Sequence, residues 1–257
     1  MTVALQNAPM IEEIEAASLK AWPDLDHVED DGWVLRFANG YTKRANSVNV
    51  LRGSKGNIDE KIARCETAYA DRGQPAIFRI TPLSMVDQLD DRLSILGYRR
   101  IDTSLVQYRS CSDPNIDPLL QTIHSIFLSD WLQAYIACSQ EQTADHATHM
   151  RILEAIDSPR ITGGLKAGTA TVACGLGVVN GDYLGLFGLI TAFAHRRKGY
   201  GMTLVASMLK WGRSQGASRA YLQVVEENAA ALSLYDRLAF QTLYRYWYRV
   251  PRNWPDI

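Results

Sequence analysis

The stretch from Tyr183 to Ser214 restricts the fold most tightly. A β-type run, Tyr183 to Thr191, leads into the basic loop Arg196-Arg197-Lys198-Gly199-Tyr200-Gly201, and an amphipathic helix follows from Gly199 to Ser214. Leu204, Val205, Met208 and Leu209 fall on one face of that helix, which therefore needs a sheet to pack against. The first N–H groups of a helix have no intrahelical partner, and the helix dipole adds positive charge there. Two glycines remove the Cβ atoms that would hold an anion off the backbone. The loop is thus an anion cradle sized for a diphosphate. It is not a G-x-x-x-x-G-K-[ST] phosphate loop, nor a G-x-G-x-x-G dinucleotide loop, because Leu204 stands where the third glycine belongs. Taken alone, a solvated basic loop capped by glycines reads equally well.

The flanking pattern predicts an α+β type of α/β fold, with a mixed, largely antiparallel sheet flanked by helices. In the first half we read a helix over 11–21, a strand over 33–37, an Asn39-Gly40 turn and a returning strand over 41–51. A helix over 58–69, a strand over 76–81, a helix over 84–96 and a strand over 98–108 follow. Polar residues 110–115 mark a boundary, giving domains of residues 1–112 and 113–257. Asp117-Pro118 then reads as the start of a helix with Leu120, Ile123 and Phe127 on its apolar stripe, and a second helix spans 143–156. Strands over 160–166, 169–179 and 183–191 form a meander through Ala167-Gly168 and Asn180-Gly181. After the helix at 199–214 come a strand (220–225), a helix (228–238) and a strand (240–250). Gly97 and Ala239, and the strand-ending Tyr108-Arg109 and Tyr248-Arg249, recur at a spacing of about 140 residues, which points to a degenerate duplication.

Charge and cysteine content narrow the partners. The formal net charge of -1 and pI of about 6.5 lack the footprint of a nucleic-acid binder. No apolar run approaches the ~20 residues of a membrane span, and the start of the chain has no basic n-region. Cys65, Cys111, Cys138 and Cys174 form no C-x-x-C pair and fit reduced, buried thiols in a cytoplasmic protein. His146 and His149 lack a third ligand and read as surface histidines, so no metal is expected.

The loop matches [RQ]-x-x-G-x-[GA], and Asn228, Ala231, Leu234-Tyr235 and Phe240 match N-x-x-A-x-x-L-Y-x-x-x-G-F. Together they resemble the core of the GNAT N-acetyltransferase superfamily over residues 115–250. The match is weaker over 10–110, where the loop Arg52-Gly53-Ser54-Lys55-Gly56 lacks the motif. The resemblance therefore implies two tandem GNAT-like domains, the first degenerate. Two positions depart from the pattern: Phe193 where the family often has Pro, and Ala239 where it has Gly.

The resemblance implies acetyl-CoA as cosubstrate. Its diphosphate would lie on Arg196, Arg197, Lys198, Gly199, Tyr200 and Gly201, and its pantetheine arm beside Leu189, Thr191, Asn228 and Ala231. Tyr235 would be the general acid, in contact with the cofactor. By residue type alone, Asn228 is a helix cap and Tyr235 a core aromatic. The base stays open among Glu226, Glu227, Asp130 and a water. His195 shapes the phosphate loop. Arg44 and Asn46 face either the acceptor cleft or solvent, and the tail Tyr244 to Tyr248 reads as core plus pocket wall. The acceptor is a small-molecule, amino-acid or peptide amine, and a homodimer is open. The rival readings are a non-catalytic CoA-binding module and a binder of another phosphate compound.

Overall fold

A computed structural model describes residues 7–53, 55–112, 119, 121, 123–139 and 145–255. Helix α1 (Ala8–Ala21) starts with Pro at its first turn, where a missing N–H costs nothing. The hairpin β1 (Asp26–Asp30) and β2 (Trp33–Phe37) turns at Asp31-Gly32. Asn39 and Gly40 both take positive φ, as their turn requires. The returning strand is shorter than its sequence suggests: residues 43–45 form a 3-10 turn, leaving β3 as Val48–Val50. Helix α2 (Ile58–Ala70) is capped by Asn57, whose side chain accepts from Asp59 N. Strand β4 (Phe78–Ile80) precedes a helical region that breaks in two. A 3-10 segment ends at Asp87, Gln88 takes φ 53, and α3 (Leu89–Ile95) follows. Strand β5 (Arg99–Ser110) closes the first half.

The helix expected through Leu120, Ile123 and Phe127 is corrected; its positions 117, 118 and 120 lie outside the described residues. Residues 124–125 form the short strand β6, and α4 (Leu128–Ser139) begins only afterwards. The reason is the neighbouring sheet edge. His124 and Ser125 pair with Gly164 and Gly163, and an edge strand left unpaired exposes its backbone groups. A Cβ on Gly164 would lie 2.5 Å from Ile126 Cδ1, so the glycine makes room for this strand.

Helix α5 (His146–Glu154) is capped by Asp145. The meander β7 (Arg160–Ala167), β8 (Ala170–Asn180) and β9 (Tyr183–Thr191) is followed by α6 (Tyr200–Ser214), β10 (Arg219–Val225), α7 (Ala229–Arg237) and β11 (Gln241–Val250).

The eleven described strands form one sheet, in the order β1-β2-β3-β4-β11-β5-β10-β9-β8-β7-β6. The order is palindromic about β11 and β5, apart from the extra β6. The pair β3–β4 is parallel, as is β9–β10, and the other adjacent pairs are antiparallel. The halves exchange their last strands: β11 lies between β4 and β5, while β5 lies between β11 and β10. Helix α1 is tied into this exchange by a buried bidentate ion pair. Glu15 accepts from Arg79 of β4 and from the Tyr244 hydroxyl of β11. Such a pair specifies an arrangement more than it adds stability. One face of the sheet packs Ile11, Trp131, Ile152 and Tyr221, under α1, α4 and α5. The other packs Leu204, Met208, Leu222 and Val224, under α6 and α7.

Ala239 ends α7 in the left-handed region, with φ 57, as Gly97 with φ 87 ends the helical segment at α3. The closing bonds from Ala239 N to Asp236 O and from Phe240 N to Tyr235 O require that conformation. A Cβ there costs about 1 kcal/mol. Because Ala239 is exposed, Ala239→Gly loses little packing. We expect the variant to be more stable by about 0.5–1 kcal/mol, read as a higher urea midpoint at unchanged slope. An unchanged or lower midpoint would show that the turn carries no strain.

Candidate active site

The site forms where β9 leaves β10. The two strands pair in parallel from Arg219 and Tyr183 to Leu222 and Leu186, and no farther. Both continue, β9 to Thr191 and β10 to Val225. The cause lies in the register of β9 against β8. Between the pairs Cys174–Ile190 and Leu176–Phe187, β9 carries one extra residue, and Gly188 takes φ 54. This is a β-bulge, which bends and twists its strand. A V-shaped gap opens between residues 187–191 and 223–225, with Leu189 and Thr191 half-buried along it.

Beyond Thr191 the chain makes a 3-10 turn over 193–195, and Arg197 and Gly199 take φ 62 and 86 before α6 begins. Arg196, Arg197, Lys198 and Gly199 are exposed. The Arg196 Nε donates to the Thr191 carbonyl at 3.2 Å, and Lys198 Nζ donates to the Ala194 carbonyl at 3.1 Å. These bonds hold the basic side chains against the loop. The first turn of α6 carries no acidic residue, so nothing there opposes the helix dipole. The glycines serve different ends. A Cβ on Gly199 would meet nothing within 4 Å, whereas one on Gly201 would lie 2.8 Å from Leu234 Cδ1 and 3.7 Å from Thr191 Oγ1. Gly201 thus lets α6, α7 and the end of β9 converge. His195 sits edge-on to Tyr200, with ring centroids 5.9 Å apart.

Helix α7 brings the downstream motif alongside. Asn228 caps it, its Oδ1 accepting from Ala231 N at 3.1 Å. Ala231 is half-buried. Tyr235 is 8% exposed and meets Phe240 edge-on at 5.8 Å. Burial pushes its phenol up to about 12, so it keeps its proton at neutral pH. Of the candidate bases, Glu226 is paired with Arg245 at 2.8 Å, while Glu227 and Asp130 are exposed. Among the described residues, no group of three or more His, Cys, Asp or Glu side chains could hold a metal.

On the α1 face of the gap lies a cavity of about 220 Å³, lined by residues that include Lys43, Arg44, Asp102, Gln223, Val225 and Tyr246. Tyr246 OH donates to Gln223 Oε1 at 2.9 Å, and Gln223 Nε2 donates to Ser18 Oγ at 2.8 Å, so the wall is braced from α1 and β11. Tyr246 and Tyr248 are pocket wall, as their alternation implies. Asn46 is not at the cleft. It is 3% exposed and latches the loop before it, accepting from Ala38 N and Gly40 N and donating to Thr42 O.

The geometry now meets its relatives. A family model described as "Probable histone acetyltransferase Rv0428c C-terminal" matches residues 9–249. The chain belongs to that family, within the GNAT acetyltransferases. An uncharacterized N-acetyltransferase, YobR of Bacillus subtilis (strain 168), is 27% identical over 248 residues, covering 94% of this chain and 99% of the relative. A GCN5-related N-acetyltransferase from Kribbella flavida has a similar structure, with a TM-score of 0.69 at 12% identity over 93% of this chain and 95% of that one. A tandem GNAT protein from the clavulanic acid biosynthesis pathway gives a TM-score of 0.59 at 11% identity, over 82% of this chain and 76% of the other.

Two parts of this acetyltransferase's site escaped the sequence reading. The bulge had a signal, the isolated Gly185 and Gly188 inside a strand. The cavity had only fragments, Arg44 and the Tyr244 to Tyr248 tail, because its walls come from residues 42–44, 102–104, 223–225 and 246–248.

The reading of His149 as a surface histidine is corrected. It is 2% exposed and surrounded by Trp22, Tyr41, Trp131 and Tyr135, with Nδ1 2.7 Å from the Tyr41 hydroxyl. Burial, with a smaller push from His146, lowers it to about 4 from 6.5. A depressed histidine favours the fold while it is neutral. Its contribution is present above pH 6.5 and is lost as pH falls from 6.5 to 4, because the unfolded chain takes the proton first. The shift corresponds to about 3 kcal/mol. Urea unfolding at pH 7 and pH 4.5 is expected to show this loss in the wild type and a smaller one in His149→Gln. Equal losses in the two proteins would remove His149 as the cause.

Proposed function

We propose that this protein transfers acetyl from acetyl-CoA to a primary amine of a small molecule, amino acid or peptide by direct attack in a ternary complex. The observation that carries the reading is the parting of β9 from β10 beside a glycine-gated basic loop. Arg196 to Gly201 would hold the diphosphate, with backbone N–H groups as donors. Leu189 and Thr191, on the freed stretch of β9, would pair with the pantetheine amides as an added strand does. The Thr191 carbonyl already accepts from Arg196 and has a second lone pair to offer. Asn228 and Ala231 would flank the arm from α7. Tyr235 would protonate the departing thiolate, and binding fixes the reactants in place. The cytoplasmic setting rests on four free, buried cysteines. In addition, no helix among the described residues is long and apolar enough to cross a membrane.

The cofactor-binding unit is proposed as residues 113–257, with 1–112 as a degenerate partner. In the first half, the loop matching Arg196 to Gly201 folds down onto a turn. Leu51 N and Arg52 N donate to Gly32 O, and Lys55 N donates to Asp31 at 2.7 Å. The first turn of α2 carries Asp59 and Glu60, which place negative charge where a diphosphate would need positive. Calorimetric titration is therefore expected to give one CoA per chain, with release of free CoA when an amine is supplied. Two equal sites would overturn the division of labour. Binding without acetyl transfer across a broad amine panel would favour the non-catalytic module. A thermal shift with ATP or NAD equal to that with CoA would favour a general phosphate binder.

A further inference from the structure

The cavity on the α1 face carries an unbalanced cation. Lys43 and Asp102 pair with each other at 2.9 Å across its rim. Among the described lining residues this leaves Arg44 as the charge without a carboxylate partner. Its guanidinium lies 5.8 Å from the Trp22 ring centroid and 5.5 Å from that of Phe187, which stack on each other. Its Nε is buried with no hydrogen-bond partner among the described residues. A buried donor left unpaired is costly, and a guanidinium steadied on aromatic faces offers a rigid fork that matches a carboxylate.

The position of this cation matters as much as its charge. Phe187 is the first residue of β9 beyond its pairing with β10, and Gln223 and Val225 lie on the stretch of β10 beyond the same point. The cavity therefore opens on the gap from the face opposite α6, whose N-terminus bears the phosphate loop. Its volume of about 220 Å³ is below the ~300–1,000 Å³ of pockets that take drug-sized ligands. It suits a molecule of amino-acid size.

We propose that the acceptor is a small amine bearing a carboxylate, and that Arg44 binds this carboxylate while the amine points into the gap. The proposal rests on the acetyltransferase reading above and deepens it. A second consequence is selection against polycationic acceptors, which the unbalanced Arg44 repels at the mouth.

The test uses the full chain and free CoA release with the twenty amino acids, their α-amides and a lysine-rich peptide. A charge-assisted bond of this kind corresponds to about 10–100-fold in kcat/KM. Some amino acids are expected to exceed their amides by that factor, although an amide's amine is the more readily deprotonated. Arg44→Gln is expected to remove the preference by raising KM for the acid, with Arg44→Lys restoring part of it. The acid-to-amide comparison on the wild type needs no variant, so misfolding of Arg44→Gln does not spoil the test. Equal use of acids and amides, preference for the basic peptide, or a KM that ignores Arg44→Gln would overturn the proposal. No turnover of any panel member, in a protein still stabilised by CoA, would also overturn it while leaving the cofactor reading intact. Absence of that stabilisation in the wild type would instead remove the acetyltransferase reading.

Discussion

Tyr235→Phe is expected to lower turnover by about 10²–10⁴-fold, the range typical of a positioned general acid, with CoA affinity little changed. The substitution is unusually clean. Tyr235 makes no side-chain hydrogen bond with the described residues, and its ring contact with Phe240 at 5.8 Å survives in the variant. The phenol, pushed up to about 12 by burial, stays protonated from pH 6 to 10. The wild-type rate should therefore rise with deprotonation of the amine and show no fall from ionisation of Tyr235 below about pH 11. The measurement is kcat and the CoA dissociation constant for both proteins, with an acceptor known to be turned over. Full turnover in the variant, with chemistry rate-limiting, would hand the proton to water or another group. Joint loss of stability and CoA binding would leave Tyr235 a core aromatic.

Gly201→Asp is expected to abolish CoA binding. CoA at about 100 times its dissociation constant should stabilise the wild type by ~2.7 kcal/mol. For a chain of this size that is about 5–10 °C in Tm. The aspartate would put a negative charge beside the proposed diphosphate loop and a Cβ 2.8 Å from Leu234 Cδ1. Gly201→Ala separates the two effects, because the tip of Leu234 can move aside while no charge is introduced. The alanine variant should keep most of the thermal shift and the aspartate variant none. A normal shift in Gly201→Asp would mean that the diphosphate binds elsewhere.

The legible parts of this protein were those encoded over three or four residues. Asn228 caps the helix that it precedes. Asn39-Gly40 makes its turn, and the strand–loop–helix from Tyr183 to Ser214 forms where its periodicity puts it. Where the reading failed, a distant group outweighed the local signal. Ile123 and Phe127 are spaced for a helix, but the open edge of β7, with its paired glycines, draws residues 124–125 into the sheet. His149 is spaced with His146 for a helix surface, but the aromatic side chains of Trp22 just after α1, of α4 and of the loop at Tyr41 close over it. Asn46 sits in a strand-like run, yet it hydrogen-bonds the backbone of its own loop.

The sequence by itself determined the basic, glycine-bearing loop, the helix that follows it and the α7 motif beside it, because each depends on neighbours in the chain. It also determined the near-repeat of the two halves. Only the tertiary structure decided that the halves exchange β5 and β11. Antiparallel ladders form equally well with either partner, and long-range contacts such as the Glu15, Arg79 and Tyr244 cluster fix the choice. That exchange has a functional result. It carries Asp102 of β5 and Tyr246 of β11 to the mouth of the β9–β10 gap, where Arg44 joins them. The first half thus helps to build the wall of a cavity that opens on the gap between two strands of the second. No local pattern could convey this, because the cavity exists only where segments far apart in the chain meet across a shared sheet.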